Sequence, residues 1–217
     1  SLDSNRSRIY HQTNAYGFRN HMKKFLFITL LLGFISPSLA DQFGLEMGES
    51  IKSIKRKGVF LQKMELPEQY YSKRLPEGNP DFEGYILEIT PKAGLCKIVG
   101  MKKSFPSNSS GVQIISMFNL FEKQLSKKYG ESKIYNAILP DSNYVAPKDF
   151  IKSLNAQDRV LSAYWVKENN QLNEDMDNIM LRAIAPDEKT ASLVFAYSFN
   201  NWDECQQELG IGSFKGL

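Results

Sequence analysis

Two cysteines, Cys96 and Cys205, are the residues whose type and spacing most directly predict a chemical bond. They are 109 positions apart and are the only cysteines in the 217-residue chain. In an oxidising compartment such a pair is expected to form a structural disulfide. In the chain-entropy model, closing a loop of this length stabilises a fold by up to about 4–5 kcal/mol. Two buried free thiols are the alternative.

Histidine chemistry depends on His11 and His21, which both precede residue 41. If the chain is cleaved after Ala40, the mature protein contains no histidine. That excludes a Ser-His-Asp or Cys-His catalytic site, a histidine-ligated zinc ion and a histidine pH switch. We therefore predict no catalytic residue, no cofactor and no metal site.

Carboxylates are the remaining side chains that could do chemistry. The segment Glu174–Asp177 is similar to part of a calcium loop, but the glycine and the distal glutamate of such a loop are missing. A solvated turn is the prediction there. An enzyme that pairs Glu83 or Glu88 with a second acid stays open as an alternative. No spacing in the sequence favours a particular pair.

Aromatic residues beside cations form a candidate contact surface. Tyr70 and Tyr71 lie close to Lys73 and Arg74, a composition typical of protein contacts. Covering the edge of the core is the alternative role for these tyrosines. Trp165 is the fifth member of the predicted surface. It follows Tyr164 in a predicted strand, and both are expected as half-buried sheet residues. Whichever of the two faces away from the helices could mark a binding face.

The elements that must position these residues fall into two halves, about 41–105 and 106–217. In the first half, a short helix over about 49–57 ends at Gly58 and a strand follows near 59–64. A polar loop is predicted from residue 65 to 82. Strands 85–90 and 95–102 then form a hairpin across Pro91–Gly94.

The second half starts with the clearest amphipathic helix in the chain. Its apolar residues recur every three or four positions, and Gly130 ends it: Ile114, Phe118, Phe121, Leu125 and Tyr129. A loop to Ala146 and a short helix from Pro147 follow. Strands near 158–167, 178–185 and 191–199 form a meander before a last helix over about 201–209. We predict a single α+β domain, 41–217, whose antiparallel sheet packs against helices on one face.

The beginning of the chain has the features of an export signal. Met22 is followed by two lysines, and the apolar run from Phe25 to Ile35 has 11 residues, whereas a membrane span needs about 20. Small residues precede Asp41, which predicts a signal peptide from Met22 to Ala40 and a periplasmic or secreted protein. Residues 1–21 are polar and aperiodic, and we exclude them from the fold as an upstream extension.

Charge argues against a nucleic-acid partner. Residues 41–217 hold 22 Lys and Arg and 23 Asp and Glu, so their formal charge is −1, against +3 for the whole chain. Without a net positive charge, the mature protein lacks the electrostatic footprint of a nucleic-acid or anionic-membrane binder. No segment after the signal peptide has the length and apolarity to span a membrane.

Several segments resemble a group of bacterial secreted proteins of about this size. The likeness lies in Phe43–Gly48, with Ile51 and Gly58 after it, in Gly94–Ile98, in Arg159–Trp165 and around Cys205. This resemblance implies export but no activity. The opening segment also looks like small outer-membrane assembly lipoproteins and tandem-repeat β-lactamase inhibitor proteins, which are binding modules without catalysis. The chain lacks the lipobox cysteine of the lipoproteins.

Together these observations predict an exported, non-catalytic binding module. Its partner would be a protein of the cell envelope, and an inhibitor or an envelope accessory is the role that the fold likeness implies. A carrier that encloses a small ligand or a lipid in an apolar cavity is the alternative.

The intact mass of the exported protein tests the signal peptide and the disulfide together. Expressed from Met22 and recovered from the periplasm, the protein should have the mass of residues 41–217 less two hydrogens, which a reductant restores. Retention of residues 22–40 would contradict the signal peptide. A mass that a reductant leaves unchanged would contradict the disulfide.

Overall fold

The computed structural model describes residues 43–210; the predicted signal peptide and residues 1–21 lie outside them. The helices and strands of the described residues run in the order α1 (Ile51–Arg56), β1 (Gln62–Lys63), β2 (Gln69–Ser72), β3 (Phe82–Thr90), β4 (Gly94–Lys102), β5 (Phe105–Pro106), α2 (Val112–Tyr129), β6 (Lys133–Ile138), a 3-10 turn (Pro147–Asp149), α3 (Phe150–Asn155), β7 (Arg159–Val166), β8 (Met176–Ile184), β9 (Thr190–Phe199) and α4 (Trp202–Glu208). None of these helices is long and apolar enough to cross a membrane.

The strands form an antiparallel sheet in the order β1-β2-β3-β4-β9-β8-β7-β6, and β5 pairs with β9 outside this path. The first half of the chain supplies β1–β4 and the second supplies β6–β9, each set preceded by a helix. The two halves meet where β4 pairs with β9. The predicted α+β class and the predominantly antiparallel sheet are confirmed.

One face of the sheet, which we call the covered face, holds much of the core. Phe121 of α2 meets Phe195 of β9 edge to face at 5.3 Å between ring centroids. The ring of Phe43 packs at a tilt against Tyr85, with 5.3 Å between centroids, and edge to face against Tyr197 at 5.1 Å. Helix α2 and the segment before α1 therefore cover the large side chains on this face.

Two strands lie where the sequence predicted loops. Tyr70 and Tyr71 belong to β2, which pairs with β3, and residues 133–138 form β6 at the edge of the sheet. Every residue of β6 before Ile138 is exposed, so this strand carries no alternation of apolar and polar residues for sequence analysis to detect. The strand predicted near 59–64 is reduced to the two residues of β1.

Helix α4 is fixed to the hairpin of β3 and β4. Cys96 and Cys205 are paired as a disulfide with 6.5 Å between their Cα atoms, as the sequence predicted. The Asn201 side-chain amide donates to the carbonyl oxygens of Ala93 and Leu95 at 2.9 and 3.1 Å. Glu208 accepts from the backbone amides of the same turn, at 2.7 Å from Ala93. The covalent bond is therefore reinforced at both ends of the helix.

Gly94, which opens β4, occupies a position that excludes any side chain. Its φ is +72°, and a Cβ atom there would overlap the backbone of Gly48. Gly58, after α1, shares the left-handed conformation with φ +82° but has no atom within 4 Å of the Cβ position. A substitution at Gly58 would therefore cause backbone strain alone, whereas one at Gly94 would cause both backbone strain and steric overlap.

Gly94→Ala should lower the free energy of unfolding by about 3 kcal/mol, because left-handed strain costs about 1–2 kcal/mol and overpacking typically adds 1–3. Gly58→Ala, the matched control, should cost only the strain, about 1 kcal/mol. Urea unfolding of both variants measures the difference. Equal losses would show that the approach of Gly94 to Gly48 is not tight.

Candidate binding face

The second face of the sheet carries apolar side chains that remain partly exposed. Successive residues of a strand point to opposite faces, so the residues that alternate with the covered ones lie on this second face. Those paired across neighbouring strands form a row: Ile86, Val99, Ala196, Met180 and Tyr164. We call this side the open face. Its half-exposed residues are Tyr71, Ile86, Val99, Met101, Val160, Tyr164, Val166, Met180, Arg182, Ile184 and Val194.

Helix α4 meets the sheet at one end of the open face. Lys97, which alternates with the covered residue Ile98, places its ammonium 4.4 Å from the ring centroid of Trp202 in α4. Thr90, on the same side of β3, donates to Glu208 at 2.9 Å. Among residues 43–210, no further cation–π contact or side-chain hydrogen bond joins a helix to the rest of the open face, from β4 to β7.

Two predicted contact residues belong to the core. Trp165 has 0% of its surface exposed, and its indole N–H donates to the carbonyl oxygen of Gly130 at 2.9 Å. Tyr70 is 8% exposed, and its hydroxyl donates to Glu68. Both residues point to the covered side because they alternate with Tyr71 and Tyr164, which lie on the open face.

Lys73 and Arg74 lie elsewhere. Both are exposed, and they line a cleft of about 450 Å³ together with Glu83 and Tyr85. The structure therefore divides the five predicted contact residues among the core, the open face and this cleft, and it does not bring them together as one surface.

Ser162 lies on the open face, beneath larger neighbours. Its register partners are Tyr135 on β6 and Arg182 on β8, and its same-face neighbours on β7 are Val160 and Tyr164. The four larger side chains around this small one cover it completely, and a groove runs beside them. The Ser162 groove has a volume of about 890 Å³ and is lined by Glu131, Ser132, Lys133, Tyr135, Ala137, Val160, Ser162, Tyr164, Val166, Asn169 and Asn170.

The polar side chains around the groove differ in whether they have an interaction partner. The Ser162 hydroxyl is fully buried and has no hydrogen-bond partner among the described residues. The Lys133 ammonium lies 5.2 Å from the ring centroid of Tyr135, and a hydrogen bond between the two side chains raises the pKa of Lys133. The rings of Tyr135 and Tyr164 meet edge to face at 5.6 Å.

Arg182 is a half-buried cation without an acidic neighbour in register. Its flanking residues on the open face are Met180 and Ile184 along β8, and Val194 across on β9. Within residues 43–210, no hydrogen bond or ion pair to its guanidinium is present. Arg182, Ser162 and Tyr135 were missed by sequence analysis, although an arginine inside the apolar run from Ile179 to Ala185 was a visible signal.

The carboxylates that the sequence left open for catalysis lie beside cations and amides. Glu88 is 7% exposed, 3.7 Å from the Lys97 ammonium and 3.3 Å from the side-chain nitrogen of Gln69. Burial raises the pKa of Glu88, although Lys97 opposes the shift. Glu83 shares its cleft with Lys73 and Arg74. Among residues 43–210, no three His, Cys, Asp or Glu side chains are grouped to hold a metal ion.

A comparison with known proteins found no protein-family model, curated protein or solved structure that matches this chain. The geometry of the open face is therefore the basis for inferring function. That face offers apolar area, tyrosine rings, one unpaired guanidinium and one unsatisfied hydroxyl. Groups of these kinds are common where proteins contact partners or ligands.

The raised pKa of Glu88 predicts a pH dependence of stability. A carboxyl with a folded-state pKa above its unfolded-state value destabilises the fold as pH rises through that range. Relative to Glu88→Gln, the wild type should therefore lose free energy of unfolding as pH rises above about 4, the unfolded-state pKa of a glutamate, until the folded-state carboxyl has also ionised. Glu83→Gln, the same charge change at an exposed site, measures the effect of net charge alone. A wild type that gains stability relative to Glu88→Gln as pH rises would show that the Lys97 ion pair outweighs burial.

Proposed function

We propose that this protein is an exported, non-catalytic binding module that holds a protein partner of the cell envelope on its open face. The observation that carries this proposal is the row of apolar residues from Ile86 to Tyr164, which crosses five strands and is half-exposed on either side of the buried Ala196. At about 4.8 Å between strands, the row extends about 19 Å. Contiguous exposed apolar surface of this kind is typical of interaction sites.

The composition of the open face fits protein recognition. Tyrosine, methionine and arginine are enriched in interface cores, and tyrosine and arginine dominate binding hot spots. The open face has Tyr71 and Tyr164, Met101 and Met180, and a central Arg182. Because Arg182 has no acidic partner among the described residues, an acidic group on the partner would complement it.

Export agrees with this role. The sequence from Met22 to Ala40 predicts a signal peptide, and the Cys96–Cys205 pair suits an oxidising compartment. A module of this type would act as an inhibitor or as an envelope accessory protein. The helices that pack on the covered face would then serve to hold the binding sheet rigid.

A small-ligand carrier is the second candidate, and the Ser162 groove is the observation that favours it. Its volume of about 890 Å³ falls within the range of ligand sites, about 300–1,000 Å³. The groove lies on the surface of the sheet, whereas the predicted carrier would enclose its ligand.

Cross-linked capture in the periplasm of the native host tests the binding module. The bait is the chain expressed from Met22 with a C-terminal tag. One dominant protein should be recovered, and Met101→Lys should reduce its recovery about tenfold, since a charge would be buried in the interface. Leu120→Lys makes the same change at a residue of α2 that is 52% exposed and should leave recovery unchanged.

Two results would contradict the proposal. Equal recovery with Met101→Lys and wild type, at equal thermal stability, would remove the open face as the interface. Turnover of a substrate that one polar substitution abolishes would remove the non-catalytic role.

A further inference from the structure

We propose that the Ser162 groove is a binding site for an organic carboxylate that has an apolar or aromatic body. The carboxylate would be held by the Ser162 hydroxyl and the Arg182 guanidinium, and the body would lie along Tyr135, Tyr164 and Val166. This inference rests on the proposed function only in taking the open face as the binding surface. It names a ligand for one region of that face.

The Ser162 hydroxyl is the first observation. It is fully buried beneath the lining of the groove, covered by neighbouring side chains, and lacks a hydrogen-bond partner among the described residues. A ligand therefore reaches it only when those side chains move aside. Leaving a buried hydroxyl unsatisfied costs about 1–3 kcal/mol, so such groups normally have a partner. A ligand oxygen that accepts from this hydroxyl recovers that free energy, and an alkane cannot.

Arg182 fixes the charge of the ligand. It is the register partner of Ser162 on β8 and therefore lies on the same face as the hydroxyl, beside the residues that line the groove rather than among them. Its flanking residues on this face are apolar, and no described residue gives it an ion pair. A guanidinium binds a carboxylate through two parallel hydrogen bonds. Once the side chains that cover Ser162 move aside, a carboxylate bound there can satisfy both residues at once.

The walls of the groove determine the rest of the ligand. Tyr135 and Tyr164 meet edge to face, and Ala137, Val160 and Val166 complete an apolar lining. The Lys133 ammonium already lies over the Tyr135 ring, which disfavours a cationic ligand at that ring. Glu131 also lines the groove, so an anionic head is better placed toward Arg182 than toward Glu131.

Titration of the full mature protein with simple probes tests the site. Naphthoate and laurate supply an aromatic and an alkyl carboxylate, and naphthamide keeps the ring of naphthoate but removes the charge. Amide NMR spectra should shift at residues of β6, β7 and β8 with both carboxylates. Naphthamide should bind about tenfold more weakly than naphthoate, as expected for the loss of one charge-assisted hydrogen-bond pair.

Three variants assign the binding to these side chains. Arg182→Gln should weaken naphthoate about tenfold but leave naphthamide unchanged. Arg56→Gln removes an exposed cation on α1 and should change neither. Ser162→Leu adds bulk beneath the groove and should abolish binding of both probes. Ser162→Ala should weaken naphthoate without lowering thermal stability, since it removes an unsatisfied hydroxyl.

The outcomes separate this inference from the proposed function. If no carboxylate probe shifts β6–β8, or if Arg182→Gln leaves folded protein with unchanged affinity for naphthoate, the ligand site is overturned. Protein capture that Met101→Lys still reduces would then leave the binding module standing. If the probes bind as expected and Met101→Lys leaves capture unchanged, the ligand site stands and the proposed protein interface fails.

Discussion

The pairing of β4 with β9 is the constraint on which the rest of the structure depends. It joins Lys97–Met101 to Val194–Ser198 in antiparallel register and so converts two sets of strands into one sheet. Each half alone would leave a long unpaired edge, which is a template for aggregation. Because register determines which side chains share a face, this single seam aligns Val99 with Ala196 and makes the open face continuous across both halves.

The two faces differ because the helices cover them unequally. Phe121 of α2 and the ring of Phe43 pack over the aromatic residues of the covered face, while α4 occupies only one end of the open face through Lys97 and Trp202. The disulfide and the Asn201 bonds hold α4 there. The remaining apolar side chains of the open face stay half exposed, and this is the surface on which the proposed partner would bury apolar area.

Much of the fold follows from local pattern. Periodicity made α2 and the three strands of the second half predictable. Turn residues predicted the hairpin across Pro91–Gly94. The Cys96–Cys205 pair was predictable because each cysteine has only one possible partner. Strands β2 and β6 were not. The first lies in a segment with polar and proline residues, and the second is an exposed edge strand that has no buried side to produce alternation.

The sequence by itself determined the α+β class, the principal elements and the absence of histidine after residue 41, since composition and short-range periodicity decide these properties. Only the tertiary structure decided which member of each aromatic pair is available to a partner. Tyr70 and Trp165 enter the core while Tyr71 and Tyr164 face outward, because a shift of one residue reverses the face of every side chain in a strand. The meeting of Tyr135, Ser162 and Arg182 likewise depends on the register of three strands, which no local pattern specifies.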